Sequence, residues 1–447
     1  MDRRRFIGSA AAGAGFLFGR NVPAVAHAGP GAQLRVNGAR IAERLRTLAQ
    51  FGRNADGGID RVAYGDADLA ARDWVMGAMR EAGLDVRMDT AGNIIGRRAG
   101  LDDARPPLMT GSHIDSVPGG GNYDGQVGAV AALEVAQTLA DQNVRLRHPL
   151  EVVIFQNEEN GKVGSKAMRG QDPASYLDLM THSGKTIRDG IRFIGGDPAR
   201  LSEAARQPGS IAAFLELHIE QGAVLERAGV PIGIVLGIVG IKRWAVTVEG
   251  FANHAGTTPM DQRRDALLGA ARFVDAANRV ARSVPGRHVA TVGTLTAEPG
   301  APNVIAGRAL LTLEMRDLEL DTVDGLFERM RVEADRVAAE TDTRFEFTEI
   351  YRTLPARTDE RMRAVIAEAA GELNLATQSL PSGAGHDAQE IAQLAPMGMI
   401  FVPSIGGISH SPREFSESVA IENGANVLLH ALTRCDRHPD LRDARAL

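Results

Sequence analysis

The chain has 447 residues, of which 44% are hydrophobic and 24% are charged. These proportions are typical of folded soluble proteins, so they exclude a largely disordered chain, a collagen-like repeat and a disulfide scaffold. Fifty Lys and Arg residues against 56 Asp and Glu residues leave a formal net charge of -6, and aromatic residues make up only 4% of the chain. Because neither the charge nor the aromatic content favours nucleic acid or an anionic membrane, we expect neither as a partner.

The N-terminal 28 residues are predicted to be an export signal rather than part of the fold. Residues 3–7 read RRRFI, an apolar stretch rich in Ala and Gly continues to Phe18, and residues 26–28 read AHA, a small-residue cleavage site. This pattern is typical of a twin-arginine signal, which predicts a periplasmic or secreted protein. The alternatives are a disordered tail or a membrane anchor, although an anchor needs about 20 apolar residues. Later apolar runs are too short to span a bilayer, so we expect no membrane attachment after cleavage.

Short apolar runs follow the signal and alternate with helical patterns. Residues 66–84 and the Ala-rich residues 127–141 have helical periodicity. Three apolar runs lead to His113, to Glu158 and to His218, and a fourth at residues 399–404 precedes His410. This alternation predicts an α/β fold with a mostly parallel mixed sheet flanked by helices. In such sheets ligands bind beyond the carboxyl ends of the strands, where these polar residues are expected.

The pattern changes between residues 237 and 350. Several strand patterns here accompany two helical patterns, at residues 263–284 and 320–340. A segment of this kind predicts an inserted α+β domain with four strands and two helices on one face, acting as a lid or dimerisation domain. A helical pattern at residues 359–373 and the strand before Pro403 return to the first domain. The sequence therefore predicts a catalytic domain split into residues 38–236 and 351–434.

Several His and carboxylate residues follow the predicted strands or their adjoining loops. They are His113, Asp124, Glu158, Glu159, His218 and His410. Such a set suits two borderline divalent metal ions and leaves one carboxylate as a general base. Asp115 follows His113 by two residues, so its carboxylate is expected to orient that imidazole. Because adjacent residues at a strand end point to opposite sides, Glu158 and Glu159 are expected to have different roles.

Eight short segments occur in the order GSHIDSV, GGNYDG, NEEN, LHIEQG, NHAGTTPM, PNVIAG, SGAGHDA and GISHSP. In order and spacing they resemble the di-metal amidohydrolases of the aminoacylase-like metallopeptidase superfamily. The chain is most similar to the hydantoinase/carbamoylase branch, which holds N-carbamoyl-L-amino-acid hydrolases, β-ureidopropionases and allantoate amidohydrolases. The HIEQG and NHAGTTPM segments together are specific to this branch. The resemblance covers about residues 38–434, which is nearly all of the expected mature chain.

The resemblance implies two divalent metal ions per subunit, either zinc or manganese, cobalt or nickel. Their ligands would be His113, Asp124, Glu159, His218 and His410. Asp124 would bridge both ions. Glu158 would be the general base, taking a proton from the metal-bridging water and passing it to the leaving nitrogen. His386 would support the ligands from behind rather than bind metal itself.

The resemblance also implies a homodimer in which His254 reaches across to stabilise the tetrahedral oxyanion. Gln221, Asn303 and Arg316 match the group that holds the substrate carboxylate, with Arg316 as a planar fork. The expected substrate is therefore a small carboxylate-bearing ureido or amide compound. One departure is that residues 160–165 read NGKVGS, whereas many members have Gly and then Arg-Phe after the glutamate pair. This difference is expected to alter one wall of the substrate pocket.

The leading hypothesis is hydrolysis of an N-carbamoyl-L-amino acid to the amino acid, carbon dioxide and ammonia. An allantoate amidohydrolase is the first alternative, and an N-acyl-amino-acid or dipeptide hydrolase is the second. Ammonia release distinguishes ureido substrates from acyl and peptide substrates. A non-enzymatic alternative is an exported binding protein, but a pure binder has no need of Glu158 once the metals are bound.

Overall fold

The computed structural model of the protein describes residues 34–172, 175–438 and 441. From Arg35 onward the chain forms one compact unit. The predicted export signal, residues 1–28, lies outside the described residues and stays a prediction. Within the described ranges, no helix combines the length and the apolar character needed to cross a bilayer.

Helices and strands alternate along the described chain. The helices are α1 (Gly38–Leu48), α2 (Asp66–Glu81), α3 (Gln126–Asp141), α4 (Val163–Met168), α5 (Ile187–Phe193), α6 (Val224–Ala228), α7 (Ala266–Ser283), α8 (Leu320–Thr341), α9 (Glu360–Glu372), α10 (Ala388–Ile391) and α11 (Ser418–Cys435). The strands are β1 (Asp85–Met88), β2 (Ile94–Arg98), β3 (Leu108–His113), β4 (Leu150–Phe155), β5 (Ala213–Ile219), β6 (Ile232–Ile238), β7 (Gly240–Glu249), β8 (Asn253–His254), β9 (Val289–Glu298), β10 (Val304–Ile305), β11 (Arg308–Asp317), β12 (Arg344–Thr353), β13 (Ala356–Arg357), β14 (Thr377–Ser382) and β15 (Met397–Val402).

Capping side chains decide where several helices begin. The Asp265 carboxylate accepts hydrogen bonds from the backbone N–H groups of Leu267 and Leu268, at 3.0 and 3.2 Å. It thereby satisfies donors that have no carbonyl partner within the helix. This cap explains why α7 begins at Ala266 rather than at residue 263, where the apolar periodicity starts. Asp359 caps α9 through its side chain in the same way.

In the described part of the chain, the larger sheet has nine strands in the order β1-β2-β4-β3-β5-β15-β6-β13, with β14 also paired to β6. Its centre, β4-β3-β5-β15, is parallel. Every residue of these four strands is buried, because helices cover both faces. In β15, Met399 and Phe401 pack towards Ile391 of α10, whereas Gly398 contacts Met362 of α9 on the opposite face. The predicted mixed sheet flanked by helices is confirmed, with its parallel strands at the centre.

The smaller sheet of the described chain has four antiparallel strands in the order β12-β7-β11-β9. Buried and half-buried residues alternate along β7, so one face of the sheet is covered. Phe273 of α7 and Leu326 of α8 pack on this face against Trp244 and Val246. Trp244 also stacks on Phe327, with ring centroids 4.3 Å apart. The predicted four strands with two helices on one face are confirmed.

The chain passes between the two sheets at two crossings. The first crossing is Val239, between β6 and β7, and the second is residues 354–355, between β12 and β13. Both lie within a few residues of the predicted boundaries at residues 237 and 350. The division into separate domains stays a prediction, since the residues from Arg35 onward form one compact unit.

The carboxyl ends of the central strands meet at one edge of the larger sheet. β3 ends at His113, β5 carries His218 next to its last residue, and the loop after β15 carries His410. Because β3, β5 and β15 are neighbours in the sheet, residues far apart in sequence come together at this edge.

Candidate metal centre

His113 and His218 are almost completely buried and have the same orientation towards their backbone partners. Nδ1 of His113 lies 3.0 Å from the carbonyl oxygen of Asp115, and Nδ1 of His218 lies 2.8 Å from that of Ile219. Since a carbonyl oxygen can only accept, each ring donates from Nδ1 and keeps a lone pair on Nε2. Both Nε2 atoms face Oδ1 of Asp124, at 3.7 and 3.2 Å.

The Asp124 carboxylate lies between these two rings and His410. Its other oxygen, Oδ2, is 3.1 Å from Nε2 of His410, which is also 3.5 Å from Oε2 of Glu159. Burial alone would raise the pKa of Asp124, but the three histidines around its carboxylate outweigh burial and hold this pKa well below its usual range. The structure therefore brings the five predicted ligands together in two groups that share Asp124.

The donor atoms of these two groups fit a pair of divalent cations. The ligand atoms of His113, Asp124 and His218 lie within 4.8 Å of one another, and so do those of Asp124, Glu159 and His410. A lone pair on Nε2 and a carboxylate oxygen repel each other at these distances unless a positive charge lies between them. Imidazole nitrogens together with carboxylate oxygens are ligands that borderline divalent metals prefer.

Glu158 and Glu159 lie in a turn, not at a strand end as the sequence pattern predicts. β4 ends at Phe155, and residues 158–161, here called the glutamate turn, precede α4. The expectation based on alternating side-chain directions in a strand is therefore wrong. Burial raises the pKa of Glu158 to about 7. A carboxyl group with a pKa near neutrality is suited to taking up and releasing a proton.

Asp115 supports the site differently from the sequence expectation. Its carboxylate is 3.7 Å from Nδ1 of His113, too far for a hydrogen bond, and the ring donates to the backbone carbonyl of Asp115 instead. The carboxylate accepts hydrogen bonds from the backbone N–H groups of Glu158 and Glu159, at 3.3 and 3.2 Å. Asp115 therefore orients His113 through its backbone and holds the glutamate turn through its side chain.

His386 lies behind His218, with the two ring centroids 4.4 Å apart. Its Nε2 is 2.7 Å from Oγ of Ser382, and burial lowers its pKa well below the usual range, so the ring is neutral. Glu216, which sequence reasoning missed, lies close to both histidines and accepts a hydrogen bond from Ser112. The position of His386 behind His218 fits its predicted supporting role.

A cavity of about 810 Å³ opens beside the cluster and is lined in part by Gln221, Arg316 and His410. Gln221 donates from Nε2 to Oδ2 of Asp124 at 2.6 Å. Its Oε1 is buried and has no hydrogen-bond partner among the described residues. Arg316 donates to Glu314 and to the carbonyl oxygen of Gly383, both at 2.8 Å. Two of the three residues predicted to hold a substrate carboxylate thus share a cavity with a predicted metal ligand.

His254 lies on the short ribbon formed by β8 and β10, Asn303 immediately precedes β10, and both residues are exposed. The Asn303 carbonyl oxygen accepts a hydrogen bond from the Ala255 N–H at 3.0 Å. Neither His254 nor Asn303 is among the described residues that line the cavity beside the cluster. Within one copy of the described chain, His254 and Asn303 therefore lie close to each other but outside the lining of the cavity beside the cluster.

Ser409 and Glu414 belong to the site although sequence reasoning missed both. Glu414 accepts hydrogen bonds from the backbone N–H groups of Tyr123 and Asp124, at 2.9 and 3.1 Å. Ser409 donates to Glu414 at 2.7 Å. These contacts tie the His410 loop to the Asp124 loop. No periodicity in the segment around residue 414 marks this role, because the partners are 290 positions apart.

Residues 109–434 match the peptidase family M20/M25/M40. The chain belongs to this family. An N-carbamoyl-L-amino acid amidohydrolase of Geobacillus stearothermophilus is 40% identical over 402 residues, which cover 89% of this chain and 98% of the relative. An allantoate amidohydrolase of Bacillus subtilis is 35% identical over 401 residues, covering 88% and 96%.

A solved structure extends the similarity of this M20/M25/M40 family member to the fold. The amidase of the hydantoinase/carbamoylase family from Burkholderia multivorans superposes with a TM-score of 0.84 at 37% identity, covering 91% of this chain and 100% of the other. The resemblance predicted from the eight sequence segments is therefore confirmed. The chain is a hydrolase of carbon–nitrogen bonds within the hydantoinase/carbamoylase branch.

Proposed function

We propose that this protein hydrolyses the carbamoyl carbon–nitrogen bond of N-carbamoyl-L-amino acids. The observation that carries this proposal is the position of Arg316, whose side chain lines the same cavity as His410 and Gln221. A guanidinium beside the metal ligands suits a substrate that has a carboxylate close to its ureido carbonyl. The Geobacillus stearothermophilus relative, whose name specifies such a substrate, adds support.

The residues of this chain divide the reaction among them. Two divalent cations held by the five predicted ligands of the cluster would polarise the carbonyl group and lower the pKa of a water molecule. Glu158 takes a proton from the attacking water and passes it to the leaving nitrogen. Gln221 offers its unpartnered Oε1 to a ureido N–H, as judged from the described residues. Arg316 holds the carboxylate and so fixes the orientation of the substrate.

The ligand set favours zinc, manganese, cobalt or nickel over calcium or magnesium, because it includes three imidazoles. The test begins with purified protein from which metal has been removed and to which zinc, manganese or cobalt is then added separately. Each form is then offered N-carbamoyl-L-amino acids, allantoate, N-acetyl amino acids and dipeptides while ammonia and amine release are recorded. We expect equal amounts of ammonia and amino acid from the N-carbamoyl compounds. Amine without ammonia, from N-acetyl amino acids or dipeptides alone, would show that the substrate class is wrong.

Allantoate is the second candidate substrate. Arg287 is exposed and lines the same cavity as Arg316, so it supplies donors for the second ureido group that allantoate carries. The Bacillus subtilis relative named for this substrate is 35% identical. The kcat/KM values for allantoate and for the N-carbamoyl amino acids, measured with one metal, decide between the two candidates.

We also propose that the active form is a homodimer in which His254 and Asn303 reach the cavity of the second copy. Both residues are exposed and lie next to each other at the ribbon of β8 and β10, which suits a joint approach to a neighbouring subunit. β9 lies at the edge of the smaller sheet, and its apolar side chains Val289 and Leu295 are exposed. An exposed strand edge with apolar neighbours favours pairing with a second copy.

We propose, finally, that the protein is exported by the twin-arginine route. Support comes from residues 3–7, RRRFI, and from the small-residue site at residues 26–28. A double variant with Arg3→Lys and Arg4→Lys should accumulate in the cytoplasm with its N-terminal 28 residues attached. Cell fractionation and mass determination of the N-terminus measure this outcome, and unchanged export of the variant would contradict the proposal.

A further inference from the structure

Lys162 follows the glutamate turn directly, within the segment where the sequence departs from many related proteins. Its backbone N–H donates to the carbonyl oxygen of Glu158 at 2.9 Å. The Lys162 backbone is left-handed, with φ of 56°, and its side chain is only 11% exposed. A left-handed backbone and a buried ammonium group both cost free energy in a non-glycine residue. The contacts of this side chain therefore need to offset that cost.

The ammonium group of Lys162 is held by two consecutive residues of α10. Nζ donates to Oε1 of Gln389 at 2.6 Å and lies 2.9 Å from Oε1 of Glu390. Glu390 also pairs with the guanidinium of Arg169, at 2.9 Å. All of these side chains are buried or half-buried, so solvent screens the contacts only weakly. Lys162 is thus anchored to α10 at one end and to the glutamate turn at the other.

Gln389 continues this path to both crossings between the sheets. Its Nε2 donates to the carbonyl oxygen of Leu354, in the second crossing, at 2.6 Å. The same Nε2 lies 3.5 Å from the carbonyl oxygen of Val239, in the first crossing. Because the amide group is planar, its oxygen and nitrogen ends move together. One side chain therefore links the head of Lys162 to both segments that connect the smaller sheet to the larger one.

We propose that Lys162 and Gln389 form a latch through which the orientation of the smaller sheet sets the position of the glutamate turn. Rotation of the smaller sheet about the two crossings displaces the Leu354 carbonyl oxygen. Gln389 then either moves with that oxygen or loses its hydrogen bond to it. In both cases Oε1 of Gln389, which accepts from Lys162, changes position. The backbone hydrogen bond of Lys162 passes this shift to Glu158. Lys162 and Gln389 are thus positioning residues.

The latch has a consequence for substrate recognition, and this part rests on the proposed function. Arg316 lies in the smaller sheet, at the end of β11, and Glu158 lies beside the larger one. A carboxylate that binds Arg316 stabilises one orientation of the smaller sheet. Through the latch, the same orientation places the base against the attacking water. A substrate that lacks the carboxylate therefore loses turnover number as well as affinity.

Hydrogen exchange in the absence of substrate tests the latch independently of the proposed function. Lys162→Met should raise exchange of backbone amides in residues 351–358, with which the Lys162 side chain has no hydrogen bond in the described chain. Gln389→Met should reciprocally raise exchange in residues 158–163. Lys166→Met is the matched control, because Lys166 lies one turn further along α4 and makes no hydrogen bond to Gln389 in the described structure. Changes confined to the immediate contacts of each variant would overturn the proposal.

Kinetics of the metal-loaded enzyme give a second readout. Gln389→Glu keeps an acceptor for Lys162 but loses the donor to Leu354, so kcat should fall about tenfold while metal content stays unchanged. Lys162→Arg should restore most of the kcat that Lys162→Met loses. The double variant of Lys162→Met and Gln389→Met should be no slower than the slower single variant, because both act on one path. Additive losses would overturn the latch, whereas failure of the proposed function would be visible as absent ammonia release in the unaltered enzyme.

Discussion

Carboxyl groups of this one site differ in proton affinity because their neighbours differ. Three histidines hold the pKa of Asp124 well below its usual range despite burial, whereas burial raises the pKa of Glu158 to about 7. A carboxylate that stays ionised suits a ligand shared by two groups, and one that titrates near neutrality suits a base. The environment of each residue, rather than its chemical type, separates the two roles.

Replacing Glu158 by Gln tests this separation. The amide cannot take up a proton, so ammonia release should fall by at least about a hundredfold, while metal content measured by mass spectrometry stays the same. Glu360→Gln provides a control, because Glu360 is exposed at the start of α9 and should not change either value. Substantial turnover by the Glu158 variant would show that another group is the base.

Gly125 is the glycine on which the geometry of His113 depends. Its φ of 73° disfavours other residues, and a Cβ atom would lie 2.3 Å from Nε2 of His113. Gly125→Ala should displace the ring and lower metal affinity at least about tenfold, as measured by titration with a metal chelator. Gly119→Ala is the matched control: its φ is 64°, but the Cβ atom would have no neighbour within 4 Å. Equal metal affinity in the two variants would contradict the role assigned to Gly125.

At the scale of elements, the sequence predicts most clearly those strands that are buried on both faces. β3, β4, β5 and β15 are predictable because each is a continuous apolar run covered on both faces. The edge strand β1 and the partly exposed β14 have no such run. The motifs locate the predicted metal ligands, but Glu414 and Gln389 are missed because their roles come from contacts between distant segments. The sequence wrongly predicts a strand end at the glutamate turn. This turn is held by hydrogen bonds to the Asp115 carboxylate, a contact that the local pattern does not show.

The N-cap of α7 makes a measurable contribution to the smaller sheet. Asp265→Ala removes the acceptor for the N–H groups of Leu267 and Leu268, which should cost about 1 kcal/mol of stability. Urea unfolding followed by Trp244 fluorescence, in a Trp74→Phe background, reports on this sheet because Trp244 lies in its core. Asp275→Ala is a control within the same helix, since its ion pair with Arg279 is exposed and contributes little. A loss of stability in the control as large as in the cap variant would argue against the cap.

At the scale of the whole molecule, the smaller sheet has a free edge at β9 in the described chain. Leu295 in this strand is 39% exposed, so Leu295→Lys places a charge where the proposed dimer would form and should shift sedimentation from dimer to monomer. Val332→Lys is the control, because Val332 is 67% exposed on α8, which packs mainly against α7, β11 and β12. The monomer should also lose turnover, since His254 is proposed to act in the second copy. A fully active monomer would place the oxyanion donor elsewhere.

β15 is the last strand of the described chain, yet it lies between β5 and β6 at the centre of the larger sheet. During synthesis the apolar edges of β5 and β6 stay unpaired until residue 402 has left the ribosome, whereas all strands of the smaller sheet are already available. A nascent chain is thus prone to aggregate through these edges for much of its elongation. The site also lacks its final histidine until residue 410 has been added. Products that end after His218 but before β15 therefore contain four of the five predicted ligands but can neither complete the sheet nor assemble the cluster.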